Sequence, residues 1–204
     1  MRSKGKTFPN ILILSGLILL IACAGLYLYN RGEDIAAGDA SYEKVQKIKE
    51  RIPEQKKAAD LSGLQTDEDT EIPELKVVEI DGVPYIGYIS IPSLEIELPV
   101  ADKWDKQILK TNLVRYYGSP YTRDMVIAGH NYKSIFGKLD NIETGADVYF
   151  TDMDGTVWHY AVTDTEILEG TDVGKMIESG HDLSLYTCTY GGKQRVTIRC
   201  DLEE

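Results

Sequence analysis

The sequence predicts a mainly β fold, an eight-stranded closed barrel with short helices, preceded by an N-terminal transmembrane helix. Three observations predict it. From about Val77 onward, short runs of alternating apolar and polar residues are separated by turn residues, which is the period-two signature of strands. Roughly eight such runs fall within about 125 residues, which favours a small closed barrel over an open sheet. Ahead of them lies an uncharged apolar run, Ile11–Tyr29, long enough to cross a bilayer.

The apolar run has 19 residues. At the helical rise these span roughly 28 Å, close to the hydrocarbon thickness of a membrane. Arg2, Lys4 and Lys6 precede it, whereas Arg31, Glu33 and Asp34 follow it. The positive-inside rule then puts the N-terminus in the cytoplasm and the remainder outside the cell. A cleaved signal peptide is a rival reading, although the run exceeds the usual apolar core of such peptides. Leu20-Ile21-Ala22-Cys23 resembles a lipidation site, but Leu26–Tyr29 stay apolar beyond the cysteine. All three readings export the domain. The expected organisation is a cytoplasmic segment 1–10, an anchor 11–29, a spacer 30–76 and a catalytic barrel 77–204.

Within the spacer, Ser41 is expected to cap a short helix through Arg51 that Pro53 stops, with Val45, Ile48 and Ile52 on one face. Residues 60–74 are acidic and read as solvated reach. In the barrel, Tyr85–Ile91 and Leu94–Val100 are strands joined at Pro92-Ser93. A helical turn over Asp105–Asn112 and a loop at Gly118-Ser119-Pro120 lead to the strand Met125–Ala128. Ser134–Leu139 reads as another turn of helix and Asp147–Thr151 as a strand. Asp154-Gly155 turns the chain into Thr156–Leu168, and Leu183–Cys188 and Arg195–Leu202 complete the set.

A net charge of −11 with no basic surface disfavours nucleic acid as a partner. Of the three cysteines, Cys23 lies in the apolar run, and an exported protein could pair Cys188 with Cys200. If Cys188 and Arg195 flank a hairpin loop, however, Cys200 sits about five residues down the strand. That is roughly 16 Å away and too far for a disulfide. Cys200 then reads as a small buried hydrophobe and Cys188 as a free thiol.

Cys188 ends an apolar strand and precedes a loop containing Gly191-Gly192, an exposed position that suits a nucleophile. His130 ends a second apolar run, Val126-Ile127-Ala128-Gly129, where an imidazole could shuttle protons. His159 sits mid-strand and His181 in a loop. Arg195 competes with Arg199, Arg123 and Arg115, but only Arg195 adjoins the Cys188 loop. A guanidinium there would bind a developing oxyanion rather than move a proton. No zinc spacing is present, and Asp152-x-Asp154-Gly155 lacks the later ligands of a calcium loop.

These segments together resemble the sortases, membrane-anchored cysteine transpeptidases of mainly Gram-positive bacteria. The resemblance covers about residues 83–202. It runs through Ile86-Gly87-Tyr88-Ile89-Ser90-Ile91-Pro92, Leu98-Pro99-Val100, Val126–Asn131, Phe136-x-x-Leu139, the Gly145–Val148 segment, Ser184-Leu185-Tyr186-Thr187-Cys188 and Arg195-Val196-x-Ile198. The family has a threonine where Ser184 stands. The resemblance implies the eight-stranded sortase barrel, Cys188 as nucleophile, His130 as acid and base, and Arg195 as substrate and oxyanion ligand. It implies that Ala128 and Thr187 line the substrate groove. The substrates implied are exported proteins with a C-terminal signal similar to Leu-Pro-x-Thr-Gly, and an amine from a cell-wall precursor or a pilin lysine. No organic cofactor is implied, and calcium dependence is unassigned. Residues 31–82 lack the Asp-Pro-aromatic lid motif of pilin-polymerising members, and the chain ends without a second apolar run, so anchoring is the expected role. The alternatives are a catalytically silent, membrane-tethered barrel that binds peptides or wall polymers, or a pilin-linking sortase.

Overall fold

The structure, a computed structural model, describes residues 7–62 and 72–203. The basic cluster Arg2, Lys4 and Lys6 and most of the acidic stretch 60–74 lie outside them. Contacts divide the chain after Ala36.

In the first unit, the start of helix α1 (Thr7–Ser62) carries the apolar run, and its large side chains from Ile11 to Tyr29 are exposed. This helix is long and apolar enough to cross a membrane and is a candidate anchor.

In the second unit, nine strands form one sheet: β1 (Val78–Ile80), β2 (Val83–Ile91), β3 (Ile96–Ala101), β4 (Leu113–Tyr117), β5 (Met125–Gly129), β6 (Asp147–Asp152), β7 (Val157–Glu169), β8 (Leu183–Cys188) and β9 (Gln194–Leu202). A five-residue helix α2 (Val173–Ile177) links β7 to β8. Eight strands close a barrel in the order β2-β3-β4-β5-β8-β9-β7-β6, and β6 returns to pair with β2; β1 forms a hairpin with the first residues of β2, ahead of the stretch that pairs with β6. Closure relies on Gly87, where φ is +150° and any Cβ would lie 2.0 Å from the Thr151 carbonyl oxygen. Two pairings are parallel, β3 with β4 and β5 with β8. The barrel is filled from alternate positions, among them Ile89, Ile91, Leu98, Val100, Met125, Ile127, Leu183, Leu185, Ile198 and Cys200.

Neither β1 nor β4 follows from the alternation pattern. β4 pairs with β3 through two residues only, and its register with β5 breaks between Arg115 and Tyr117. Helix α1 also departs from expectation. Ser41 is not a cap but a buried residue inside the helix, and its hydroxyl donates to the Thr111 carbonyl. Pro53 lies within the helix, which continues to Ser62 despite the backbone bond a proline removes. The expected apolar face is real: Val45 and Ile48 are fully buried, and Ile48 and Ile52 pack with Ile80, Tyr85, Ala101 and Met153. Lys44 and Lys47 pair with Asp81, and Lys49 with Glu97. The two lysines draw the Asp81 carboxyl down to about 2. Burial of the Ile48 side chain contributes roughly 1.5–3 kcal/mol, more than such exposed ion pairs.

Candidate active site

Side-chain alternation divides β5, β8 and β9 into two faces. Met125, Ile127, Leu183, Leu185, Ile198 and Cys200 point into the barrel. Val126, Ala128 and Tyr186 point outward and pack with Leu168 and Met176 in a separate apolar cluster. Cys188 shares the parity of Tyr186. The outer face therefore carries three cross-strand pairs, Cys188 with Arg195, Tyr186 with Thr197, and Ser184 with Arg199.

The parallel β5–β8 ladder ends at the pair Gly129 and Thr187, and His130 and Cys188 are the next residues on each strand. Neighbouring strands run about 4.8 Å apart, so the backbone brings His130 and Cys188 to the same end of the barrel. The Thr187 hydroxyl donates to the Gly129 carbonyl at 2.9 Å, tying the two strands together just before the pair. Gly129 is required by close packing rather than by a turn. A Cβ there would come 2.5 Å from Phe136 Cδ2 and 2.7 Å from Leu113 Cδ2.

His130 is half-buried and held by its successors. Its ring stacks on Tyr132 with centroids 4.1 Å apart and planes 10° from parallel. The Asn131 backbone N–H donates to Nδ1 at 2.8 Å, which suits a neutral imidazole protonated on Nε2. The Asn131 side-chain oxygen lies 2.9 Å from the same nitrogen and suits the imidazolium, whose Nδ1–H would donate to it.

The four candidate arginines separate cleanly. Arg195 Nη1 donates to the carbonyls of Gly192 (2.9 Å) and Gln194 (3.0 Å), which fixes the guanidinium at the mouth of the β8–β9 loop, across from Cys188. Arg115 bonds Asp102 and the Gly118 carbonyl, and Arg123 forms a two-pronged pair with Asp182. Arg199 is buried on the outer face of β9.

Beside Arg195 opens a cavity of about 170 Å³ lined by Trp104, Tyr116, Gly170, Val173, Met176 and Tyr186, with Glu169 and Asp172 at its rim. Trp104 meets Tyr116 edge-on at 6.0 Å, and Tyr116 meets Tyr186 edge-on at 5.9 Å, so an aromatic row leads to the strand carrying Cys188. Ala128 lies buried beneath this row in the same cluster as Met176 and Tyr186. Sequence reasoning missed the cavity, whose lining comes from five separated segments. A larger cleft of about 490 Å³, between Gly38 and Tyr42 of α1 and residues 95–98, includes none of Cys188, His130 or Arg195.

Cys188 is partly exposed and Cys200 is buried, and both thiols are free. Burial pushes the Cys200 thiol far above the usual range, so it stays protonated. Among the described residues, no three His, Cys, Asp or Glu side chains are grouped to hold a metal ion. The Asp152–Gly155 segment is a turn in which Asp152 Oδ1 accepts the N–H groups of Asp154 and Thr156.

The Sortase domain family matches residues 89–203, more than half of the sequence, and the chain belongs to that family of cysteine transpeptidases. No curated protein matches it significantly in sequence. Among solved structures, a sortase D5 transpeptidase from Clostridium perfringens is 19% identical, with a TM-score of 0.59 over 81% of this chain and 99% of that one. A sortase C from Clostridium perfringens, solved with the C-terminal cell wall sorting motif, is 20% identical, with a TM-score of 0.51 over 79% and 90%. Sortase A from Corynebacterium diphtheriae is 18% identical, with a TM-score of 0.55 over 88% and 96%. These likenesses are of fold, and they span three types, leaving the subclass open.

Proposed function

We propose that the chain is a membrane-anchored transpeptidase that cleaves a Leu-Pro-x-Thr-Gly-like signal of exported proteins and joins them to a cell-wall amine. The observation that carries this reading is the shared strand end: His130 and Cys188 follow the last β5–β8 pair, and Cys188 faces Arg195. The Cys188 thiolate attacks the carbonyl carbon of the Thr-Gly bond. Arg195 stabilises the oxyanion. The His130 imidazolium gives its Nε2 proton to the departing glycine nitrogen and is left neutral with its proton on Nδ1, the C–N bond breaks and a thioester remains. His130 then takes a proton from the acceptor amine, whose nitrogen attacks the thioester. The new C–N bond forms as the C–S bond breaks, and the thiolate is regenerated.

The membrane-spanning start of α1 would lie with its N-terminus in the cytoplasm and the barrel outside, where the signals and the wall precursors are found. The test is turnover of Leu-Pro-x-Thr-Gly peptides by the full chain in detergent, with and without a glycine-type amine or a lysine-bearing pilin peptide. The expected result is amine-dependent diversion of product from acid to amide, abolished in Cys188→Ala. Full turnover in that variant contradicts the mechanism, and a preference for the pilin lysine would reassign the acceptor. Peptide binding without turnover in the unaltered chain would favour the silent barrel.

A further inference from the structure

Arg199 is the largest fully buried side chain among the described residues, only 1% exposed. A guanidinium keeps its charge at any working pH, so burying it is costly unless its donors are met. They are met by a set of acceptors drawn from three elements. Nε donates to Glu166 Oε1 on β7 at 2.7 Å, and Nη1 donates to Ser184 Oγ on β8 at 2.6 Å. Nη1 also reaches the Met176 carbonyl at 3.2 Å, and Nη2 the Lys175 carbonyl at 2.8 Å.

The last two acceptors belong to α2. A five-residue helix is far too short to be stable by itself, and its final carbonyls have no partner within the helix. Arg199 supplies that partner from the barrel. The residues it anchors matter to the site, because Val173 and Met176 form the wall of the cavity that Arg195, Tyr186, Tyr116 and Trp104 also line. Arg195 and Arg199 lie four residues apart on one face of β9, one at the cavity and one behind its wall.

We propose that Arg199 is a positioning residue that clamps α2 to the barrel and so sets the wall of the cleft that receives the acyl donor. The inference rests on the transpeptidase reading above for its kinetic half. Lysine cannot replace the clamp, since one ammonium cannot span Glu166, Ser184 and two carbonyls as a planar fork does.

The experiment is Arg199→Lys in the full chain in detergent. Losing charge-assisted bonds of this kind raises KM for the signal peptide about tenfold. KM for the amine and the pH dependence of Cys188 alkylation by iodoacetamide remain unchanged. Hydrogen exchange at the amides of residues 173–178 speeds up, while β8 and β9 keep their protection. Ser184→Ala removes one acceptor and leaves the guanidinium; it shows the same changes, smaller, and decides the matter should Arg199→Lys fail to fold. Unchanged exchange in α2 overturns the proposal. So does faster exchange with an unchanged peptide KM, or a parallel loss of Cys188 alkylation and of protection throughout the barrel. If the unaltered chain turns over no peptide, the transpeptidase reading falls and the exchange measurement alone decides the clamp.

Discussion

Cys188 stands directly opposite Arg195 across the β8–β9 ladder, so the proposed nucleophile and the cation that would meet its oxyanion are fixed by one backbone register. The register is set by the strands behind the pair, where Leu185 faces Ile198 and Leu183 faces Cys200 in the core.

Arg195→Ala therefore leaves the fold intact and lowers kcat/KM for a signal peptide by about 10²–10³, the scale of losing one oxyanion donor. Arg195→Lys keeps the charge without the two-carbonyl anchorage to Gly192 and Gln194 and recovers only part of the loss. Steady-state kinetics checks this. A change below threefold in Arg195→Ala would remove Arg195 from the chemistry.

Asn131→Ala deletes the side-chain oxygen 2.9 Å from His130 Nδ1, the acceptor for an Nδ1–H. A hydrogen bond to a charged group is worth roughly 1.5–3 kcal/mol, so kcat falls about tenfold or more with KM unchanged. Steady-state kinetics checks this, and an unchanged kcat would show that Asn131 does not support the charged ring.

Gly129→Ala forces a methyl into Phe136 and Leu113. Overpacking of this kind costs about 1–3 kcal/mol, measured by denaturant unfolding. Turnover falls further than stability does, since the displaced backbone carries His130. Loss of stability with full activity would contradict the view that this packing aims the imidazole.

At the opposite end of the barrel, the Arg123 guanidinium, helped by the Leu202 N–H, holds the Asp182 carboxyl below its ordinary value. A depressed carboxylate contributes stability that is fully present above its unfolded pKa, near 3.9, and is lost as pH falls through its folded pKa. Asp182→Asn removes that contribution, so the gap between the two unfolding curves is constant above about pH 5 and closes below about pH 4. A gap that widens on acidification would contradict the sign.

Much of this arrangement was legible in the residues. Cys188, His130 and Arg195 stood out because each ends or begins an apolar alternating run, and strand ends are where a barrel presents side chains. The stripe Val45, Ile48 and Ile52 was equally readable, since helical period and burial agree. What failed was capping: Ser41 has the chemistry of a helix start, but its hydroxyl serves Thr111, 70 residues away. β4 was hidden because Leu113–Tyr117 alternates poorly and is held by partners on both sides. The role of Arg199 could not be read, because its acceptors Lys175, Met176, Ser184 and Glu166 meet it only once β7, β8 and β9 are adjacent.

The central claim is that Cys188 carries the acyl group. Its most direct test is intact-mass and peptide-mapping spectrometry of the full chain after brief exposure to a Leu-Pro-x-Thr-Gly peptide without amine. The account predicts an adduct of the peptide through its threonine, on Cys188 alone, released when an amine is added and absent in Cys188→Ala. An adduct on another residue, or amide product formed with no adduct on Cys188, would contradict it.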